Sequence, residues 1–245
     1  MSNQETSPSG VPIHRHTPKE REDSEVRIAS EQHLERITAH VEEHIGPVAN
    51  VFHEIVPDLV RIDILFVQPT PQRNYYTLVT SGMSARPMTV PEGAENFRYA
   101  ELMLCLPADW NLSNEAFRKE ENYWPIRALK TLARLPHEYD TWLYHTHTVP
   151  NGDPASPYAG NTKFAGMMVD LPTLAEDLQA FFTLQLDEEK AVHFFTLVPL
   201  YEEEMNYKLT QGTEPLLEKL SQAGVNEIIQ NNRKNVCRKK FLGLF

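Results

Sequence analysis

Two short runs carry the residue types that could do chemistry. In the first, YYTLVTSGMSARPM from Tyr75 to Met88, Ser84 follows a β-rich stretch and a small turn. A serine nucleophile in an elbow sits between two glycines, G-x-S-x-G, because the sharp strand-to-helix turn brings backbone close on both sides. Gly82-Met83-Ser84-Ala85-Arg86 has only the first of these glycines. Pro87 and Pro91 stop a helix from starting behind Ser84 and lending its N-terminal dipole. No base and orienting group complete a triad. The expectation is a polar turn in which Gly82 takes a positive φ and the serines bond the loop backbone.

The second run is His145-Thr146-His147. On a strand, an H-x-H pair points both imidazoles to one face and can give two ligands to zinc or a similar ion. His14, His16 and Asp153 are the other donors to weigh, but no third and fourth ligand stand at a recognisable spacing. Asn151-Gly152-Asp153-Pro154 reads first as a turn. Cys105, inside an apolar run, and Cys237, in a basic tail, lack ligand spacing and read as reduced thiols of a cytosolic protein. No catalytic centre, metal or cofactor is expected, and a hydrolase using Ser84 or a metal on His145 and His147 is the lesser alternative.

The remaining polar clusters have plain readings. His33, His40 and His44 read as solvated positions on or beside a helix. Glu202-Glu203-Glu204 reads as a solvated helix start, where negative charge suits the dipole. Arg233, Lys234, Arg238, Lys239 and Lys240 form a basic end, read as a solvated tail or one folding against acidic residues of the same domain.

Helices and strands must position these groups. Leu34, Ile37, Val41 and Ile45 fall at helical spacing before Gly46-Pro47. Residues 62–67 and 75–80 read as a strand pair, and residues 98–106, RYAELMLCL, as a mostly buried strand. Ile126, Leu129, Leu132 and Ala133 mark a helix with Pro125 in its first turn and Pro136 as its stop. Residues 142–144, 164–169 and 192–200 are further strand candidates, with a helix around Leu174, Leu178 and Phe181. Gly212 and Gly224 punctuate two C-terminal helices, the second opened by Thr213 as N-cap. The mixture predicts an α+β fold, a mixed and largely antiparallel sheet with helices packed on it.

At 245 residues the chain can bury a substantial core. Residues 1–25 are polar and proline-bearing and read as a disordered leader. Residues 26–236 read as a single domain, and residues 237–245 as a basic C-terminal tail. The leader lacks the apolar run of a secretory signal, and no segment reaches membrane-span length, so neither export nor a membrane is expected. A net charge of −11 argues against nucleic acid and favours basic partners.

Five ordered segments make the chain resemble the suppressor of fused family, in its compact, single-domain bacterial branch. They are Ile62-Asp63-Ile64 with YYTLVTSGMSARPM, AELMLCLPADW at 100–110, WPIRALKTLARLP at 124–136, HTVPNGDPASPYAGNTKF at 147–164, and LVPLYEEEM at 197–205. Family members tend to carry a glycine before the His-Thr pair, where this chain has Thr146. The resemblance implies a non-enzymatic, protein-binding α+β domain. In animal relatives such a domain, joined to a second one, sequesters a transcription factor by gripping an extended peptide. Bacterial members resemble immunity proteins that neutralise a cognate toxin, and an acidic surface would suit a basic toxin domain. The resemblance places the partner region at 135–158, with Leu135, Tyr139, Trp142, Tyr144, His147, Asp153 and Tyr158 as contacts. That mixture suits an interface anchor and equally a well-packed loop. An exposed strand edge there could accept a partner strand.

Overall fold

The computed structural model describes residues 5–17, 26, 28–54 and 59–238. The chain runs through β1 (Glu5–Thr6), β2 (Pro12–Ile13), α1 (Glu31–His44), β3 (Val48–Phe52), β4 (Asp63–Val67), β5 (Tyr75–Ser81) and β6 (Ala100–Pro107). Then follow α2 (Glu120–Glu138), β7 (Thr148–Pro150), β8 (Phe164–Asp170), α3 (Leu178–Phe182), β9 (Thr183–Gln185), β10 (Ala191–Tyr201), α4 (Glu202–Gln211) and α5 (Thr213–Gln222). Eight strands form one sheet in the order β3-β4-β5-β6-β10-β8-β7, with β9 beside β10. Every pair is antiparallel except β6 with β10. The fold is α+β with a mixed sheet, as the pattern of elements predicts.

The sheet's two faces are read from alternate residues. In β4, Ile64 and Phe66 join Leu102, Leu104 and Leu106 of β6 under α2, while Leu65, Val67, Met103 and Cys105 turn toward Ile37 and Val41 of α1. In β10, Phe195 and Leu197 lie on the α2 face, Phe194 under α1 and α3, and Val198 and Leu200 under α4 and α5. Helices on both faces explain why these strands are apolar along their length rather than alternating. Fully burying one such Leu, Ile or Phe contributes roughly 1.5–3 kcal/mol.

Helix α2 starts at Glu120, five residues ahead of the proline expected to open it, and both Pro125 and Pro136 lie inside it. A proline removes the donor to the carbonyl four residues back. Asn161 Nδ2 supplies that bond instead, donating to the Glu121 carbonyl at 3.0 Å. The repair fastens the loop after β7 to α2, and Arg127 adds a second tie by donating to the Tyr158 carbonyl at 2.9 Å.

Residues 142–144, expected as a strand, are irregular, and the strand of this region is β7 at Thr148–Pro150. The helix expected around Leu174 is confined to Leu178–Phe182. Gly212 rather than Thr213 caps α5. His33 and His40 are not solvated: His40 is buried against Phe181 and Phe194, and His33 is half-buried. Nor is the acidic run simply a wet helix start. Glu204 is fully buried and paired at 2.5 Å with Arg233, whose guanidinium lies over the rings of Phe164 and Tyr201. Arg233 thus folds against an acidic residue of its own domain.

Within the segment expected as a leader, residues 5–17 contain the β1-β2 ribbon, and Ser9 reaches the end of α4. At the other end, Val236 and Cys237 pack on the α4-α5 core. No described helix is long and apolar enough to cross a membrane.

Candidate partner site

Two polar regions lie at opposite extremes of enclosure, and the first is built around the Ser81–Ser84 turn. Gly82 has φ +126, and a Cβ there would collide with the Arg61 carbonyl oxygen, so the turn needs glycine. The turn closes over Glu101, a lone carboxylate in the otherwise apolar β6. Glu101 accepts from the backbone N–H groups of Gly82, Met83 and Ser84 at 3.0, 3.3 and 3.0 Å, and from the hydroxyls of Thr80 and Ser84 at 2.6 Å each. Burial raises its pKa above the ordinary carboxylate value, and the bonds from Ser84, Thr80 and Gly82 offset only part of that rise. Three of the five groups are backbone N–H donors that cannot accept, so the turn is built to satisfy the acceptor oxygens of this one side chain.

The hydrogen bonds also decide what Ser84 can do. Its hydroxyl hydrogen goes to Glu101, so at 2.8 Å from Ser84 Oγ the His33 Nε2 must be the donor. His33 Nδ1 in turn accepts from Lys190 Nζ at 3.2 Å. Burial, then the Lys190 charge, lowers the His33 pKa to about 4 and keeps the ring neutral. A general base would take a proton from serine, whereas this histidine gives one. Ser84 is also fully buried.

The second region is the stretch from Leu135 to Tyr158, at the sheet end formed by β7. His147 O accepts from Val169 N at 2.8 Å and Asn151 N donates to Ala165 O at 2.7 Å, so these residues face β8. By the alternation of an antiparallel ladder, Thr148 and Pro150 turn their backbone groups to the outer side. No described strand pairs there. Pro150 has no N–H, so the free edge offers one donor, from Thr148, and two acceptors.

His145-Thr146-His147 is a turn and not the strand the metal reading needs, because Thr146 has φ +68. This is the left-handed region in which a β-branched residue is an outlier and a glycine would sit without strain. The two imidazoles therefore part. His145 Nε2 pairs with Asp170 at 3.0 Å, while His147 meets the edge of Trp142 at 5.2 Å between ring centroids. Among the described residues no group of three or more His, Cys, Asp or Glu is placed to hold a metal ion.

Lys208 of α4 holds the strained turn. Its buried Nζ donates to the Thr146 carbonyl and, at 2.9 Å, to Thr148 Oγ1. Burial lowers its pKa to about 8. It also lies near enough to His147 to add to the burial that lowers that imidazole's pKa to about 4.

The structure brings most of the predicted contacts together. Trp142 stacks on Tyr144 at 5.1 Å, and both rings meet His147. All three are half-buried and continue inward through Tyr144 to Phe97 and Phe195. Leu135 and Tyr139 are half-buried at the end of α2, and the Asp153 side chain is 87% exposed. Tyr158 stands apart: it is buried and stacked on Trp124 at 5.2 Å inside the core. Sequence reasoning missed Glu101, His33, Lys190 and Lys208. A single carboxylate within RYAELMLCL was the legible signal for the first, and the other three carried none.

The matched family model is suppressor of fused protein, over residues 58–234. Two solved structures share the fold at low identity. A putative suppressor of fused homologue from Neisseria gonorrhoeae is 17% identical with TM-score 0.60, covering 86% of this chain and 100% of its own. A chain of the Sufu–Fu complex is 15% identical with TM-score 0.57, covering 83% of this chain and 92% of its own. None of the curated proteins matches. The family match spans most of the chain, the Ser81–Ser84 turn and the Leu135–Tyr158 stretch included, and the chain belongs to the suppressor of fused family.

Proposed function

We propose that this chain is a non-catalytic protein-binding module whose partner docks on the Leu135–Tyr158 face. The carrying observation is the placement of a short free strand edge, Thr148–Pro150, beside the half-buried Trp142, Tyr144 and His147 rings. Partner backbone would pair with the edge, and the rings and Leu135 would give the apolar contact that sets specificity. Tyr139 and Asp153 stand at either side. Tyr158 acts from within, holding the loop on α2. The inverted hydrogen-bond chain through Ser84 supports a non-catalytic reading.

For the partner, we infer an immunity role: capture and neutralisation of a basic toxin domain, which enters by an extended peptide. A net charge of −11 and the exposed Asp153 favour a basic partner. Likeness in fold to a bacterial homologue suits a bacterial setting, and the free Cys105 and Cys237 suit a reducing cytoplasm. The second reading is a regulatory scaffold for another protein, favoured by the fold shared with a chain of the Sufu–Fu complex.

The test is co-expression with the product of the adjacent gene. Relief of its toxicity, lost on Asp153→Lys with the fold intact, supports immunity. Absence of a toxic neighbour, or toxicity unrelieved, favours the scaffold.

A further inference from the structure

The proposed partner face already carries a piece of this chain. Ser9 lies at the C-terminal end of α4, where the last helical carbonyls lack intrahelical donors. Its N–H donates to the Leu209 carbonyl at 3.1 Å, and its hydroxyl lies 3.1 and 3.0 Å from the carbonyls of Lys208 and Leu209. Ser9 sits in the turn of the β1-β2 ribbon, whose Glu5 holds Arg15 by two bonds of 2.8 and 3.2 Å. Arg15 Nη1 sits 3.6 Å from Asp153, and the His16 ring lies 5.9 Å from that of Tyr139. The turn of the ribbon therefore rests on the helix whose Lys208 pins the Thr146 turn, and Arg15 and His16 beyond it touch residues on both sides of β7.

We propose that residues 5–17 are an internal occupant of the partner face, a strap that a partner must displace. The proposal rests on the reading of this face as the partner site and deepens it. The strap's contacts suit a reversible cover: Arg15 and Asp153 are 67% and 87% exposed, so water and salt screen their attraction. A tether makes up for weak contacts, since a short linker holds its ligand at an effective concentration of about 1 mM. The strap also describes its competitor. A partner that replaces it brings a basic side chain to Asp153 and a ring to Tyr139, in keeping with a basic partner for an acidic chain. Residues 5–17 lie outside the 58–234 family match.

The experiment uses the full chain with a site-specific protease sequence inserted between residues 17 and 26, cut only after folding. With ¹⁵N labelling, cutting and removing the strap is expected to shift the amide signals of Tyr139 and Asp153 and leave those of Ser84 and Glu101 in place. An unlabelled synthetic peptide of residues 5–17 at about 1 mM is expected to restore them. The same peptide carrying Arg15→Glu and His16→Ala is expected to bind at least tenfold more weakly. Signals that do not move on removal, that are not restored, or that both peptides restore equally would overturn the proposal. No partner is present, so failure here leaves the partner reading standing. Loss of that reading would show instead as partner affinity, measured after removal of the strap, that is indifferent to substitutions on this face.

Discussion

The Ser81–Ser84 turn and the His145–Pro150 edge are both polar turns that adjoin the α2 face of one sheet, and both require a residue at positive φ. They differ in how their polar groups are satisfied. The first uses glycine where the backbone needs it and sends five donors to one buried carboxylate. The second places threonine in the left-handed region, holds it with a buried lysine and leaves strand edge and rings partly uncovered. A satisfied buried network rigidifies a fold, whereas strain and unpaired edges gather at binding sites. The motif that looks most catalytic is thus the better candidate for stability, and the strained turn is the better candidate for recognition.

Substitutions that break the closed region should cost most. Glu101→Ala leaves three backbone N–H groups and two hydroxyls without their acceptor, and should destabilise the fold by about 3–5 kcal/mol in urea titration. A loss below about 1 kcal/mol would mean that water replaces the carboxylate. Acid comes next. His33, His137, whose Nε2 lies 3.1 Å from the Met83 carbonyl of the closed turn, and His147 of the open one are held neutral in the fold by burial, each with its pKa lowered to about 4 from 6.5. The unfolded chain therefore takes up protons first, and their contribution is full above pH 6.5 and lost progressively as pH falls toward about 4. Denaturation midpoints should follow that window, and His137→Gln should flatten it.

The open region should respond in the opposite direction or hardly at all. Thr146→Gly removes a left-handed threonine that costs roughly 1–2 kcal/mol and adds glycine's entropy, for a net gain of about 0.5–1 kcal/mol in thermal unfolding. A loss would show that the threonine is not strained. Asp153→Lys, at an 87% exposed side chain, should change stability by less than about 0.5 kcal/mol.

Strands β4, β5, β6, β8 and β10 were legible as short apolar runs, and α1 because Leu34, Ile37 and Val41 keep helical period, whereas the short β3, β7 and β9 carry no such run and were not. Gly82 announced its own turn. The start of α2 was not legible, because the carbonyl that Pro125 leaves without its helical donor is satisfied by the side chain of Asn161, thirty-six positions away from the proline. Nor was the parting of His145 and His147, which hangs on one φ angle at Thr146. The roles of His33 and Lys208 come from contacts at separations of 51 and 62 residues, and no local pattern encodes them.

The central claim is that recognition lies at the β7 edge and not at the serine turn. Titration calorimetry of the adjacent-gene product against Asp153→Lys, Tyr139→Ala and Ser84→Ala variants, each with residues 5–17 cut away after folding so that no strap competes, decides between the two. Binding at least tenfold weaker than the parent's, about 1.4 kcal/mol, is expected for the first two, and affinity within about twofold of it for folded Ser84→Ala. Binding lost on Ser84→Ala and kept by the two edge variants would contradict it.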